Sequence, residues 1–138
     1  QIVKNAKTLA ETLLNLGYDI VSGGTDTHLV LIDLTPKGIS GKKAEIALEE
    51  AGITTNKNMV PFDERSPMVT SGIRVGTPAL TTRGMKEDEM IQIAKLMDNI
   101  IKNIQDEKII RYTRNTVSEL CSAFPIYEEF VIDAMPQL

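Results

Sequence analysis

Apolar residues recur at helical spacing from the first positions of the chain. Ile2, Ala6, Leu9, Leu13 and Leu16 share one face, and Val3, Ala10 and Leu14 widen the stripe. Gly17 supplies a stop for that helix. Tyr18 to Val21 reads as a short strand, Ser22 to Asp26 as a turn cluster, and His28 to Leu34 as a second, more buried strand. A connection this short predicts an antiparallel hairpin. Thr35-Pro36-Lys37-Gly38 breaks the pattern, and Ser40 can cap a helix that carries Ala44, Ala47, Leu48 and Ala51 on one face and stops at Gly52. Its small residues imply close packing against a neighbour.

Ile53 to Asn56 is a third strand candidate, followed by a polar, proline-marked loop from Lys57 to Pro67. Gly72-Ile73-Arg74-Val75-Gly76 alternates at the period of a strand, and Thr77-Pro78 opens a short helix that Gly84 can close. Lys86-Glu87-Asp88-Glu89 sets acids in the first turn of a long helix, where they favour its dipole. Met90, Ile93, Ala94, Met97, Ile100, Ile101 and Ile104 form that helix's buried stripe. A last helix, Glu107 to Ala123, presents Ile110, Val117, Leu120 and Phe124 before Pro125 ends it. The tail from Ile126 to Leu138 is apolar enough to dock on this domain or a neighbour. These elements predict one α+β domain spanning 1–138, a small and mainly antiparallel sheet packed with helices.

Composition narrows the function classes. The chain has 138 residues and a formal net charge of −4, so nothing points to nucleic acid or an anionic membrane surface. No apolar run reaches membrane-spanning length. Cys121 is the single cysteine, which excludes an internal disulfide and suits a reducing cytoplasm. No metal is expected. The chain opens on Gln1 inside an apolar-periodic segment and reads as a cut fragment.

The chemistry centres on Arg74. As a strand, Gly72 to Gly76 sends Ile73 and Val75 to one face and Arg74 to the other, with glycine two residues away on either side. Glycine in a strand often marks close approach of a ligand or another backbone. A guanidinium with cleared space suits a carboxylate, which it grips through two parallel hydrogen bonds. The plainer alternative is a surface or salt-bridged arginine on an edge strand.

Three blocks then carry a resemblance, in one order along the chain. Thr70-Ser71-Gly72-Ile73-Arg74-Val75-Gly76-Thr77-Pro78-Ala79 resembles the signature of serine hydroxymethyltransferase, the pyridoxal-phosphate enzyme that moves a one-carbon unit between serine and tetrahydrofolate. Ser22-Gly23-Gly24-Thr25-Asp26-Thr27-His28-Leu29 is similar to a second family segment. Asn56-Lys57-Asn58 with Pro61 and Ser66-Pro67 is similar to the family's folate-side loop. The resemblance covers nearly the whole chain as the C-terminal domain of a fold type I enzyme. The Pro61-Phe62-Asp63 and Thr70-to-Val75 spellings look bacterial.

The resemblance implies that Arg74 binds the α-carboxylate of serine or glycine, a task of orientation, since its charge is permanent. It implies folate contacts at Asn58, Ser66, Pro67 and Met68. Many relatives carry an aromatic where Met68 stands, and without the resemblance Asn58 and Ser66-Pro67 read as ordinary turn formers. The family's Schiff-base lysine lies in a threonine-rich stretch ending in His-Lys, and no lysine here has that setting. The expected cofactor, pyridoxal 5′-phosphate, and co-substrate, tetrahydrofolate, thus belong to a full-length cytoplasmic homo-oligomer, dimer or tetramer. No catalytic residue is expected in this stretch, which is predicted inactive alone.

Other side chains fit structural roles. His28 reads as a structural histidine tied to the Gly23-Gly24 turn, Cys121 as an inert packing thiol, and Arg83 as a cation at a helix C-terminus. The six methionines read as core fillers. Two alternatives stay open: another enzyme of the same scaffold, such as an aldolase or decarboxylase, and a stand-alone carboxylate-binding module. The loop from Asn56 to Pro67 argues against the first.

Overall fold

The computed structural model describes residues 1–21, 25 and 27–125. The predicted docking of the tail 126–138 and the tie of His28 to the Gly23-Gly24 turn lie outside the described residues. Five helices and four strands follow in order: α1 (Ile2–Asn15), β1 (Asp19–Ile20), β2 (Leu29–Asp33), α2 (Gly41–Glu50), β3 (Asn56–Asn58), β4 (Gly72–Gly76), α3 (Pro78–Thr82), α4 (Glu87–Lys102) and α5 (Glu107–Ala123). The class is α+β, as the pattern predicts.

All strand pairs are antiparallel and the sheet order is β1-β2-β4-β3. The predicted hairpin forms, with Asp19 opposite Asp33 and Ile20 opposite Ile32. β4 occupies a central position, with Arg74 opposite Leu31 on one side and Asn56 on the other. Ile20, Val30, Ile32, Ile73 and Val75 are buried in one core cluster with α1, α2 and α4. Helix α1 packs on β1 and β2, α2 on β3 and β4, and α4 against both helices. The other sheet face carries Leu29, Arg74, Asn56 and Gly76, all exposed.

Several expectations shift. β3 runs Asn56–Asn58 rather than Ile53–Asn56. The Ile53 amide is taken by the Leu48 carbonyl at the end of α2, and pairing starts only where Asn56 comes opposite Arg74. In α1 the buried stripe is Asn5, Ala6, Leu9, Ala10 and Leu13, whereas Ile2, Val3 and Leu14 are exposed. Val3 and Leu14 lie on the flank of the stripe and Ile2 in the terminal turn. The Thr77 hydroxyl does not cap α3; it reaches back 2.9 Å to the Ile2 carbonyl, tying the helix start to α1. Of the methionines, Met85, Met90 and Met97 fill the core, but Met59 and Met68 are exposed.

One buried polar set stands in the stripe of α4. Asp98 accepts the Tyr18 hydroxyl at 2.7 Å and pairs with Lys102 at 3.0 Å. Burial and the adjacent carboxylate both hold the Tyr18 phenol protonated well beyond its usual range.

The tightest junction joins α2 to the strand that carries Arg74. Ser40 caps α2 as predicted, its Oγ accepting the Lys43 amide at 3.2 Å. The next orphan amides of the helix leave the helix altogether. Gly41 N–H donates to the Thr70 carbonyl at 3.1 Å and Lys42 N–H to the Val69 carbonyl at 2.9 Å. The approach is so close that a Cβ on Gly41 would stand 2.1 Å from Thr70 Oγ1 and 2.3 Å from the Gly72 carbonyl oxygen. Gly41→Ala should therefore destabilise by roughly 1–3 kcal/mol through overpacking against backbone. Urea denaturation checks this: the midpoint should fall at constant slope, and an unchanged midpoint would show that the junction yields freely.

Candidate functional site

Arg74 owes its position to alternation within β4. Ile73 is fully buried and Val75 nearly so, which forces the residue between them outward. The ladder on both sides fixes its Cα, and among the described residues no hydrogen bond or ion pair engages the guanidinium. A cationic fork on a rigid strand, without a partner among the described residues, can accept a carboxylate in two parallel contacts.

The glycines beside it do different jobs. Gly76 is exposed. Gly72 is not a clearing: a Cβ there would meet Val60 Cγ1 at 2.7 Å and the Asn58 and Ile32 carbonyl oxygens at 2.9 Å. The expectation of open space on both sides of Arg74 is corrected at Gly72, where neighbouring strands and Val60 close in.

Asn58 comes onto the same face as Arg74 through the register. It lies opposite Gly72, diagonal to Arg74, a separation of about 7–8 Å between Cα atoms. Its Nδ2 donates to the Met59 carbonyl at 2.8 Å, which leaves Oδ1 and a second N–H for a ligand. Ser66, Pro67 and Met68 lie on the loop between β3 and β4, all exposed. The Ser66 carbonyl accepts the Val69 and Thr70 amides at 3.0 and 2.8 Å, so the three residues form the outer side of a tight turn. The structure thus brings Arg74 and Asn58 onto one sheet face and sets Ser66 to Met68 on the connecting loop.

The loop has an anchor that the sequence reading passed over. Asp63 Oδ1 accepts the Arg65 amide at 2.9 Å and the Ser71 hydroxyl at 2.6 Å. Its Oδ2 accepts the Ser71 amide at 2.8 Å and the Val60 amide at 3.3 Å. Arg65 Nη1 adds a bond to Ser71 Oγ at 3.0 Å. Desolvation pushes the Asp63 carboxyl upward, but the bonds from Ser71, Arg65 and Val60 outweigh it and hold the pKa at about 2. The available signal was an aspartate two residues before the amide it binds, the pattern of an Asx-turn.

Two backbone outliers sit in this loop. Phe62 has φ 58° and Thr70 φ 59°. With Pro61 before it and the Asp63 amide bonded to the Val60 carbonyl, Phe62 fills the position of a type II turn that glycine usually takes. Thr70 is β-branched and buried, and its unusual conformation persists because Ser66, Gly41 and Gly72 all bond it.

Two hollows adjoin the sheet. One lies between Asp33 and the turn from Val60 to Arg65. The other is mainly apolar, lined by Ile53, Leu80, Ile93, Val117 and Leu120, with Arg83 at its side. Arg83 reaches the Phe124 carbonyl at 3.5 Å. Cys121 is half-buried on α5, and His28 is exposed, its carbonyl accepting the Thr77 amide. Arg74 lines neither hollow.

A covalent pyridoxal-phosphate site needs a lysine with a partly desolvated and available amine; no lysine is buried, and the half-buried Lys37 has its amine on the Leu16 carbonyl at 3.3 Å and over the Tyr18 ring. The residues present do not fit attachment of that cofactor. Among the described residues no group of three or more His, Cys, Asp or Glu side chains could hold a metal, and no described helix is long and apolar enough to cross a membrane.

A sequence model described as serine hydroxymethyltransferase matches residues 1–97, which takes in the whole sheet, the β3–β4 loop and α4 as far as Met97. With this match over more than half of the chain, the protein belongs to the serine hydroxymethyltransferase family, whose members are fold type I, pyridoxal-phosphate-dependent transferases of one-carbon metabolism.

Proposed function

We propose that this chain is the C-terminal domain of a serine hydroxymethyltransferase, and that it supplies the substrate-carboxylate contact and part of the folate site. The observation that carries this is Arg74, an exposed guanidinium on a rigid strand with no partner among the described residues, one diagonal step from Asn58 on the same sheet face. An exposed cation on a sheet face is half of a binding site. The other half comes from the portion of the enzyme that holds the cofactor.

In the complete enzyme, pyridoxal phosphate supplies the electron sink that lets bonds at the amino-acid α-carbon break. The residues of this chain bind and orient. Arg74 grips the α-carboxylate of serine or glycine in two parallel hydrogen bonds and so fixes the rotation of the amino acid about its α-carbon. Asn58 offers an acceptor and a donor to the mixed edge of the tetrahydrofolate pteridine ring. Ser66, Pro67 and Met68 border the same co-substrate from the loop. Met68, 76% exposed, is an adaptable apolar surface in place of a stacking ring.

Alone, the chain is inactive, because no lysine is buried and none matches a cofactor-binding motif. Mixed with pyridoxal phosphate it should give no stoichiometric, serine-responsive absorbance band, and the appearance of one would refute the assignment of the covalent site elsewhere. In the complete enzyme, Arg74→Ala should lower kcat/KM for serine roughly 100- to 1,000-fold, the loss of two charge-assisted bonds. Steady-state kinetics that stay near normal would end Arg74's role. Asn58→Ala should weaken tetrahydrofolate use about tenfold while sparing folate-independent aldol cleavage of a β-hydroxy amino acid. Equal losses in the two assays would mark Asn58 as structural.

A further inference from the structure

We infer that Asp63 is a positioning residue for the folate reaction, the group that fixes where the β3–β4 loop stands relative to Arg74. The inference rests on the folate reading of that loop and extends it to a residue that touches no ligand. The loop runs from Met59 to Ser71, and apart from its two ends its course depends on very few long-range bonds. Asp63 makes the largest share of them. Its four acceptor contacts join the turn at Val60, the backbone at Arg65, and both the amide and the hydroxyl of Ser71.

Ser71 is the residue immediately before β4, and its carbonyl accepts the Leu34 amide at 2.8 Å beyond the end of β2. Asp63 therefore ties the middle of the loop to the root of the arginine strand. The segment from Ser66 to Met68 lies between the two tied points. Both of its anchors, Asp63 with Ser71 and Ser66 with Thr70, close on the same three residues before Gly72. A shift of the Asp63 carboxylate moves the folate-side segment and leaves the ladder around Arg74 in place, since β4 is held by β2 and β3.

The chemistry of the anchor is specific to a carboxylate. Both Asp63 oxygens face donors only, two amides on Oδ2 and an amide with a hydroxyl on Oδ1. An asparagine keeps one oxygen and turns its NH2 either toward two N–H groups or toward the Arg65 amide and the Ser71 hydroxyl; in both orientations at least one amide bond is lost and an N–H faces another donor. Arg65 steadies the same point, with its guanidinium on the Ser71 hydroxyl oxygen.

The test is Asp63→Asn in the complete enzyme, with folate-dependent serine turnover and folate-independent aldol cleavage measured side by side. The KM for tetrahydrofolate should rise about tenfold and the aldol kcat/KM should stay within about twofold. Equal falls in both reactions, or no change in either, would overturn the inference. Should Asp63→Asn fail to fold, Ser71→Ala decides: it deletes one of the four contacts and should raise the same KM about threefold, whereas an unchanged KM would count against the proposal. Backbone amide exchange adds a readout independent of folate, since protection at Val60, Arg65 and Ser71 should drop in the Asp63 variant, and retained protection would refute the anchor. Asn58→Ala separates the two failures. If it raises the folate KM while Asp63→Asn does not, the positioning role falls; if neither does, the folate reading falls with it.

Discussion

The amide groups at the start of α2 hold the arginine strand's side of the structure together. A helix begins with N–H groups that lack intrahelical partners, and here two of them are spent on the carbonyls of Val69 and Thr70. That choice fixes the three residues that lead into β4. It brings the backbone of α2 so near the strand that only glycine fits at position 41, and it stabilises Thr70 in a left-handed conformation that a β-branched residue otherwise avoids. The helix that packs on the core is thus also the bracket that holds the lead-in to the arginine strand. Loss of that bracket would leave β4 paired but its lead-in free, and the loop before it would no longer have a fixed root.

The sheet then separates stability from chemistry by alternation. Ile73 and Val75 enter the same core as Ile32, Leu9 and Met97, and burial on that side makes a one-residue slip of β4 prohibitive, because every inward side chain would exchange faces. Arg74 inherits its direction from its neighbours. A charged group is easy to place there because water solvates it until a ligand arrives. In the proposed role a carboxylate and the rest of the enzyme displace that water together, and the charge-assisted pair then strengthens in a drier site.

Much of this was legible in the chain. Helical periodicity gave the helices, the run from His28 to Leu34 gave the paired strand, observed as Leu29–Asp33, and strict alternation around Arg74 gave its face. The limits of β3 were not legible, because Ile53 to Thr55 look more strand-like than Asn56 to Asn58, and only the position of β4 decides which of them pair. Nor was the burial of Asp98, a charge inside an apolar stripe whose partners, Tyr18 and Lys102, include one 80 residues away. The role of Gly72 was misleading in an instructive way. A glycine beside a functional arginine suggests room for a ligand, yet this one is glycine because Val60 and two carbonyls occupy the space. Asp63 sat in a loop rich in turn formers, where one more aspartate drew no notice, and its weight comes from Ser71, eight residues on.

The division of labour between strand and loop explains why the polar bonds concentrate where they do. Arg74 needs no side-chain support, since two ladders already hold its backbone. Asn58 sits at the end of a three-residue edge strand paired on one side, and Ser66 to Met68 sit on no ladder at all. Residues meant to contact a ligand from such positions lose precision unless something replaces the missing ladder. The structure replaces it with a carboxylate facing only donors, a threonine locked in a left-handed conformation, and two helix amides, all converging on residues 69 to 71. The proposed folate edge is accordingly the part of the site that depends on side-chain chemistry for its shape, while the proposed carboxylate grip depends on the sheet.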